Sequence, residues 1–348
     1  MKINLRYVVG ISLISALAGL LFGYDWVVIG GAKPFYERFF GISGIPGLQG
    51  LGMSSALIGC VGGAMVSGWI SERLGRRGSL VIAAVLFLLS ACGTGAVGSF
   101  DWFMAFRVLG GFGIGIASAI APVYIAEVSP AAYRGRMVAL NQLNIVIGIL
   151  SAQIVNYAIA KEVPEGATDL FIQLSWNGQR GWRWMFWAEA APASLFLILL
   201  SFIPESPRWL AKVSRWEKSS WILEMIGGEE YARGARREIE ESLAGSDPHG
   251  GLASLILRKY RPIIFLGIVL AVFQQWCGIN VVFNYAEEVF SAAGYQVTDI
   301  LFNIIITGVV NLVFTFVAIR TVDRWGRRRL MMIGSAGLAV LYLILGAG

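Results

Sequence analysis

The sequence predicts an all-α membrane protein, and three observations carry that prediction. Of its 348 residues 56% are apolar and only 14% are charged, where a water-soluble domain carries about 25% charged residues. Apolar runs of about 20 residues recur along the chain, each long enough to cross a ~30 Å hydrocarbon core. The 43 glycines suit close helix approach in a bilayer, where no hydrophobic force drives helices together.

The segments run roughly 7–31, 52–72, 79–99, 102–127, 137–160, 182–203, 262–292, 298–320 and 329–348. Each is expected to be helical, because backbone N–H and C=O groups in lipid have to pair within their own segment. The first follows Lys2 and Arg6 without a small-residue cleavage site, so it reads as a retained helix and not a signal peptide. Arg73, Arg76 and Arg77 follow the second, Arg134 and Arg136 the fourth, and Arg320, Arg324 and Arg327 to Arg329 the eighth. The alternate loops are poorer in basic residues, which predicts a cytoplasmic N-terminus. The net charge of +6 is thereby a set of topology signals, and no nucleic-acid partner is expected. Cys60, Cys92 and Cys277 lie inside apolar runs and imply no disulfide framework. His249 stands in no metal-ligand spacing.

A polar stretch over 204–260, with mixed-charge runs such as Arg236 to Glu241, interrupts the pattern and predicts short amphipathic helices on the cytoplasmic face. It divides the chain into a six-helix bundle over 1–203, a linker over 204–260 and three further helices over 261–348. The block Glu72-Arg-Leu-Gly-Arg-Arg77 returns as Asp323-Arg-Trp-Gly-Arg-Arg328, and its place after the second helix of each part predicts two halves related by duplication. By that count the second half is incomplete and the chain is expected to be a fragment.

Further motifs then accumulate. They are Phe22-Gly-Tyr-Asp25, Arg107-Val-Leu-Gly-Gly111, and Tyr124-Ile-Ala-Glu127-Val-Ser-Pro with Arg134-Gly135. Gly181-Trp-Arg-Trp-Met-Phe186, Pro204-Glu-Ser-Pro-Arg-Trp209 and Gln274-Gln275 with Gly278 and Asn280 complete the set. In this order and at these helix positions the chain resembles the sugar porter family of the major facilitator superfamily, nearest to bacterial xylose:proton symporters. The resemblance implies a major facilitator fold of two pseudo-symmetric six-helix halves, in a bacterial inner membrane. It implies import of a pentose or hexose with protons by alternating access. The partners are then a monosaccharide, the proton and the lipid bilayer. The protein is expected to act as a monomer, without a cofactor beyond the proton as coupling ion. No nucleophile–base pair, nucleotide loop or metal cluster points to an enzyme.

Ionisable groups at helix depth cost about 2.5–3.5 kcal/mol each on insertion scales, so each is a functional hypothesis. Asp25, Arg107 and Glu189 fall at similar depths on three helices, at ~1.5 Å rise per residue. The resemblance makes Asp25 the proton-coupling acid, Arg107 its partner and Glu189 an acid linked to the same step. A purely structural ion pair stays open beside that reading, as does an Arg107 that snorkels to the surface.

A sugar is neutral and needs amides, which donate and accept hydrogen bonds. Gln274, Gln275, Asn280 and Gln142 are its contacts by resemblance, with Phe22, Trp276 and Tyr285 as aromatic candidates. Gly278 is placed to let its helix break. Amides serving as interhelical glue are the competing reading. Ile149, Gln153 and Asn284 depart from the xylose symporters, where Gln, Tyr and Tyr stand, so the sugar is left open.

At the cytoplasmic ends, Glu72, Arg73, Gly75, Arg76, Arg77, Glu127, Arg134, Glu205 and Arg208 are expected to form an ion-pair gate. Asp323, Arg324, Arg327 and Arg328 would join it from the second half. Such a gate would hold the outward-open state and break as the halves rock, while plain topology signalling is the alternative. Passive uniport and a non-transporting sugar sensor are the rival functions; Asp25 speaks against the first.

Overall fold

The computed structural model describes residues 3–164, 167–244, 261–278 and 297–347, without the side chains of 297–299, 323, 324, 327 and 345. Among the described residues regular structure is entirely helical. The long helices are α1 (Leu5–Phe39), α2 (Pro46–Ala96), α3 (Phe100–Val128) and α4 (Arg134–Ile159). Short pieces follow: α5 (Asp169–Leu174), a π-turn (Asn177–Gly181), α6 (Trp182–Trp187) and α7 (Ala190–Leu199). Then come α8 (Pro207–Lys212), α9 (Trp216–Ala244), α10 (Arg261–Trp276), α11 (Val297–Trp325) and α12 (Arg327–Ala347).

The second and third apolar segments are two helices, as expected; they meet inside the range of α2 at Gly75, whose φ of 83° and ψ of 175° are not helical. The sixth segment is not one smooth rod: Ala188 and Glu189 form a turn between α6 and α7. Pro192 explains it, since its ring has no N–H to give the Ala188 carbonyl one turn back. The linker forms short helices as expected: α8 is followed by the two parts of α9, which meet at Gly228, whose φ of 78° and ψ of 176° are not helical. Residues 245–260 of that linker lie outside the described residues.

Backbones touch at glycines. A Cβ on Gly23 would collide with the Ile145 carbonyl and one on Gly148 with that of Leu20, so α1 and α4 lie in near contact. Gly59 and Gly111 do the same for α2 and α3, against Val108 and Ala56. This is the small-residue packing expected where dispersion, not hydrophobic force, draws helices together.

Around these seams Leu21, Phe87, Ile114, Tyr124 and Phe196 form one buried cluster, and Tyr36, Phe103, Trp182 and Phe186 a second. A third cluster seats the linker: Leu210, Ile222 and Ile226 pack on Val8, Ile125 and Met137, so α8 and α9 are docked to the bundle. Arg183 ties the opposite end. Its Nη1 donates to the carbonyls of Gly95 and Val97 at 2.7 and 2.6 Å, and its guanidinium stacks 4.8 Å from Phe39 and 4.5 Å from Trp182. Large apolar side chains such as Ile58, Val61, Met65, Trp69 and Phe202 cover the outside, as lipid contact requires. Among the described residues five elements are long and apolar enough to cross a membrane, the two parts of α2 counted together.

Candidate functional site

One turn of α1 builds two environments. Asp25 points toward α3, where Arg107 Nη1 donates to its carboxylate and Nη2 donates to its backbone carbonyl at 3.2 Å. Glu189, at the turn between α6 and α7, lies in electrostatic reach of both. All three are 1% exposed. The Phe186 ring lies 5.6 Å from the guanidinium. The three helices therefore bring together the three intramembrane charges read from the sequence. Asp25 Oδ2, Arg107 Nε and Glu189 Oε1 have no hydrogen-bond partner among the described residues. Two carboxyls thus share one guanidinium, and the trio carries one excess negative charge when both acids are ionised. One proton neutralises it.

On the other side of the same turn, Phe22, Gly23 and Trp26 line a cavity of about 610 Å³. Leu57 and Cys60 of α2, Gln142, Ile145 and Ile149 of α4, and Gln274 and Gln275 of α10 complete its wall. The volume falls in the range of small-molecule sites. Three amides facing an otherwise apolar wall with aromatic surface suit a neutral, hydroxyl-covered ligand. Phe22, Gln142, Gln274 and Gln275 are thus gathered as expected. Trp276 is not: it is 77% exposed and meets the Phe273 ring edge-to-face at 6.1 Å. At about 100° per residue it stands some 200° around the helix from Gln274 and faces away. Helix α10 ends at Trp276, and Gly278 has a φ of 79°, as a break there requires. Asn280, Asn284 and Tyr285 lie outside the described residues. Sequence reading missed Trp26, Leu57, Cys60, Ile145 and Ile149. Helical spacing held the signal for three of them, since Trp26 is four residues from Phe22 and Ile145 and Ile149 are three and seven from Gln142.

At the arginine-rich end the expected gate residues take several roles. Arg76 grips Glu127 with two hydrogen bonds, Nε to Oε2 at 2.9 Å and Nη2 to Oε1 at 3.0 Å, and Ser206 Oγ donates to Glu127 Oε2 at 2.5 Å. Among the described residues Glu205 makes no ion pair. Its Oε1 accepts the backbone N–H groups of Arg76, Arg77 and Ser206 at 2.9, 3.1 and 2.8 Å, capping the helix that restarts after Gly75. Burial pushes the Glu205 carboxyl up, and these donors pull against that. A Cβ on Gly75 would collide with the Glu205 carboxylate. Arg77 donates from Nε to the Leu200 carbonyl at 2.8 Å and from Nη2 to that of Ser201 at 3.2 Å, closing the end of α7.

Glu72 pairs with Lys212 at 2.8 Å, a lysine the sequence reading did not select. Trp209 Nε1 donates to the Glu72 carbonyl at 3.0 Å. Arg73 lies 4.3 Å over Trp69, Arg134 Nε donates to the Ala126 carbonyl at 3.1 Å, and Arg208 Nη2 donates to Ser242 Oγ at 2.9 Å. Among the described residues these three arginines form no ion pair, so the expected network is in large part a set of helix caps. Arg328 is exposed, and the side chains of Asp323, Arg324 and Arg327 lie outside the described residues.

A profile of the family described as "Sugar (and other) transporter" matches residues 11–348. The D-xylose-proton symporter of Escherichia coli (strain K12) is 40% identical over 367 residues, which covers 99% of this chain and 72% of that protein. The glucose transport protein of Synechocystis sp. is 39% identical over 344 residues, 98% of this chain and 72% of that protein. The fold matches the major facilitator superfamily proton:xylose symporter XylE bound to 6-bromo-6-deoxy-D-glucose. The TM-score is 0.83 at 40% identity, over 95% of this chain and 72% of that one. The match in sequence and fold together shows that this chain belongs to the sugar transporter family of the major facilitator superfamily.

Proposed function

We propose that this protein imports a monosaccharide together with protons by alternating access. The observation that carries the reading is the double use of one turn of α1. Asp25 holds Arg107 on one side, while Phe22 and Trp26 line the cavity on the other. A proton on Asp25 itself removes the charge that fastens α1 to α3, and the same turn shifts the cavity wall. Sugar in the cavity and proton on the acid then favour the same movement, which is the linkage that coupling requires.

Homologous symporters and transporters for xylose and glucose support a sugar as cargo. The three amides support a polyhydroxylated ligand without a charge. The driving force is sufficient: one charge moving through 100 mV is worth about 2.3 kcal/mol, and a tenfold concentration ratio costs about 1.4 kcal/mol. One proton per sugar therefore sustains an accumulation of tens-fold.

The test is to express the full reading frame in cells lacking other sugar carriers and record external pH as xylose, glucose or galactose is added. Alkalinisation with one sugar, abolished in Asp25→Asn, is expected. Sugar entry without a pH change would leave a uniporter in place of the symporter.

A further inference from the structure

The cavity-facing stripe of α4 does not stop at the cavity. Gln153 follows Ile149 by one helical turn, about 6 Å along the axis, and Asn156 follows on the same face. With Val27 and Gly31 of α1 and Leu301 and Ile304 of α11 they line a second, nearly closed pocket of about 10 Å³. Gln153 is 2% exposed, and among the described residues neither atom of its carboxamide has a hydrogen-bond partner. Asn156, also 2% exposed, donates from Nδ2 to the Val28 carbonyl at 3.1 Å, but its Oδ1 accepts no hydrogen bond from the described residues. Gly308 of α11 approaches so closely that a Cβ there would collide with Gln153 Oε1.

Three buried polar atoms are therefore left unpaired where α11 closes on α4. Each is destabilising in that state, and an apolar pair of the same shape would avoid the cost. Closed packing alone does not account for an amide here. The pocket leads outward from the cavity along both α1 and α4, and its lid comes from the other half of the chain. Resting on the reading of the protein as a sugar transporter, we infer that the Gln153 carboxamide, backed by Asn156, is an outer hydroxyl contact of the sugar site, made when α11 withdraws from it. Gln153 supplies two donors and an acceptor, and Asn156 Oδ1 a second acceptor. Adjacent sugar hydroxyls match that set, and the residue thereby discriminates between sugars that differ in the hydroxyl presented to it.

The experiment compares wild type with Gln153→Leu and Gln153→Met. It reads the Kd for the transported sugar from tryptophan fluorescence, the Kd for each of its monodeoxy analogues, and the apparent Tm. A contact predicts a Kd raised about five- to tenfold in both variants, since a neutral hydrogen bond is worth about 1 kcal/mol, with the Tm unchanged or higher. One deoxy analogue binds less well than the parent sugar to wild type but equally well to the variants. A wild-type Kd and deoxy profile in a folded variant would overturn the inference, as would misfolding of both variants, which would make the amide a structural group. Sugar binding by wild type without proton uptake defeats the coupling alone and leaves the Gln153 comparison decisive. No sugar binding by wild type overturns both.

Discussion

Glu205 Oε1 accepts the backbone N–H of Arg76 at 2.9 Å, so the acid that follows α7 caps the helix that resumes after Gly75. Burial raises this carboxyl above its ordinary value against the pull of the N–H groups of Ser206, Arg77, Arg76 and Gly78. A raised folded-state pKa means that the stabilising contribution is complete below the ordinary carboxylate range and is lost as pH rises through the raised value. Glu205→Gln keeps an acceptor and does not titrate. Its apparent Tm relative to wild type should climb as pH rises above the ordinary carboxylate range. Glu205→Ala should lie below wild type throughout, by about 0.5–2 kcal/mol for a lost cap. Thermal unfolding in detergent at several pH values checks both.

Gly75→Ala faces two obstacles, a φ of 83° and the Glu205 carboxylate in the space its Cβ would fill. The cost should exceed about 1 kcal/mol. The double variant Gly75→Ala with Glu205→Ala should recover only the steric share. A fully recovered Tm would show that the backbone angle carries no strain.

Arg107→Ala leaves two buried carboxyls with no cation and should destabilise by about 3–5 kcal/mol. Asp25→Asn with Arg107→Met removes the charge problem and should restore the fold without restoring sugar-dependent alkalinisation. A double variant that still couples would move the proton site elsewhere.

Trp26 lines the cavity and Trp276 faces away from it. Trp26→Ala should weaken sugar binding about fivefold or more, as loss of an aromatic contact does, and Trp276→Ala should leave it unchanged. Isothermal titration decides, and the reverse order would contradict the orientation of α10.

Gly308→Ala places a methyl group against Gln153 and should hold α11 off α4. A cysteine introduced at Ile304, now 6% exposed, should then react with a membrane-impermeant thiol reagent several-fold faster. An unchanged rate would show that this contact does not govern access.

The apolar runs and the depth of Asp25, Arg107 and Glu189 were legible because hydrophobic length and the cost of buried charge are local properties of the chain. Partner choice was less so. A glutamate between prolines and arginines reads as one half of an ion pair, yet Glu205 found backbone donors, because Gly75 opened a helix end beside it. Lys212 reached Glu72 only through the docking of α8. Trp276 shared a motif with Gln274 and Gln275, but adjacency in sequence is divergence on a helix. The polar run over 204–260 announced short amphipathic helices, and α8 and the two parts of α9 are such helices, seated by a buried face on Val8 and Met137.

The short span of α1 from Phe22 to Trp26 sets the range over which cargo and ion have to sense each other. It is about 6 Å, one helical pitch, so no relay of residues across the membrane is needed for the two to be linked. Substitutions that let sugar slip through without its proton should cluster around that pitch. Changes at the Glu127, Glu205 or α9 contacts should alter how fast the protein cycles while its proton-to-sugar ratio stays fixed.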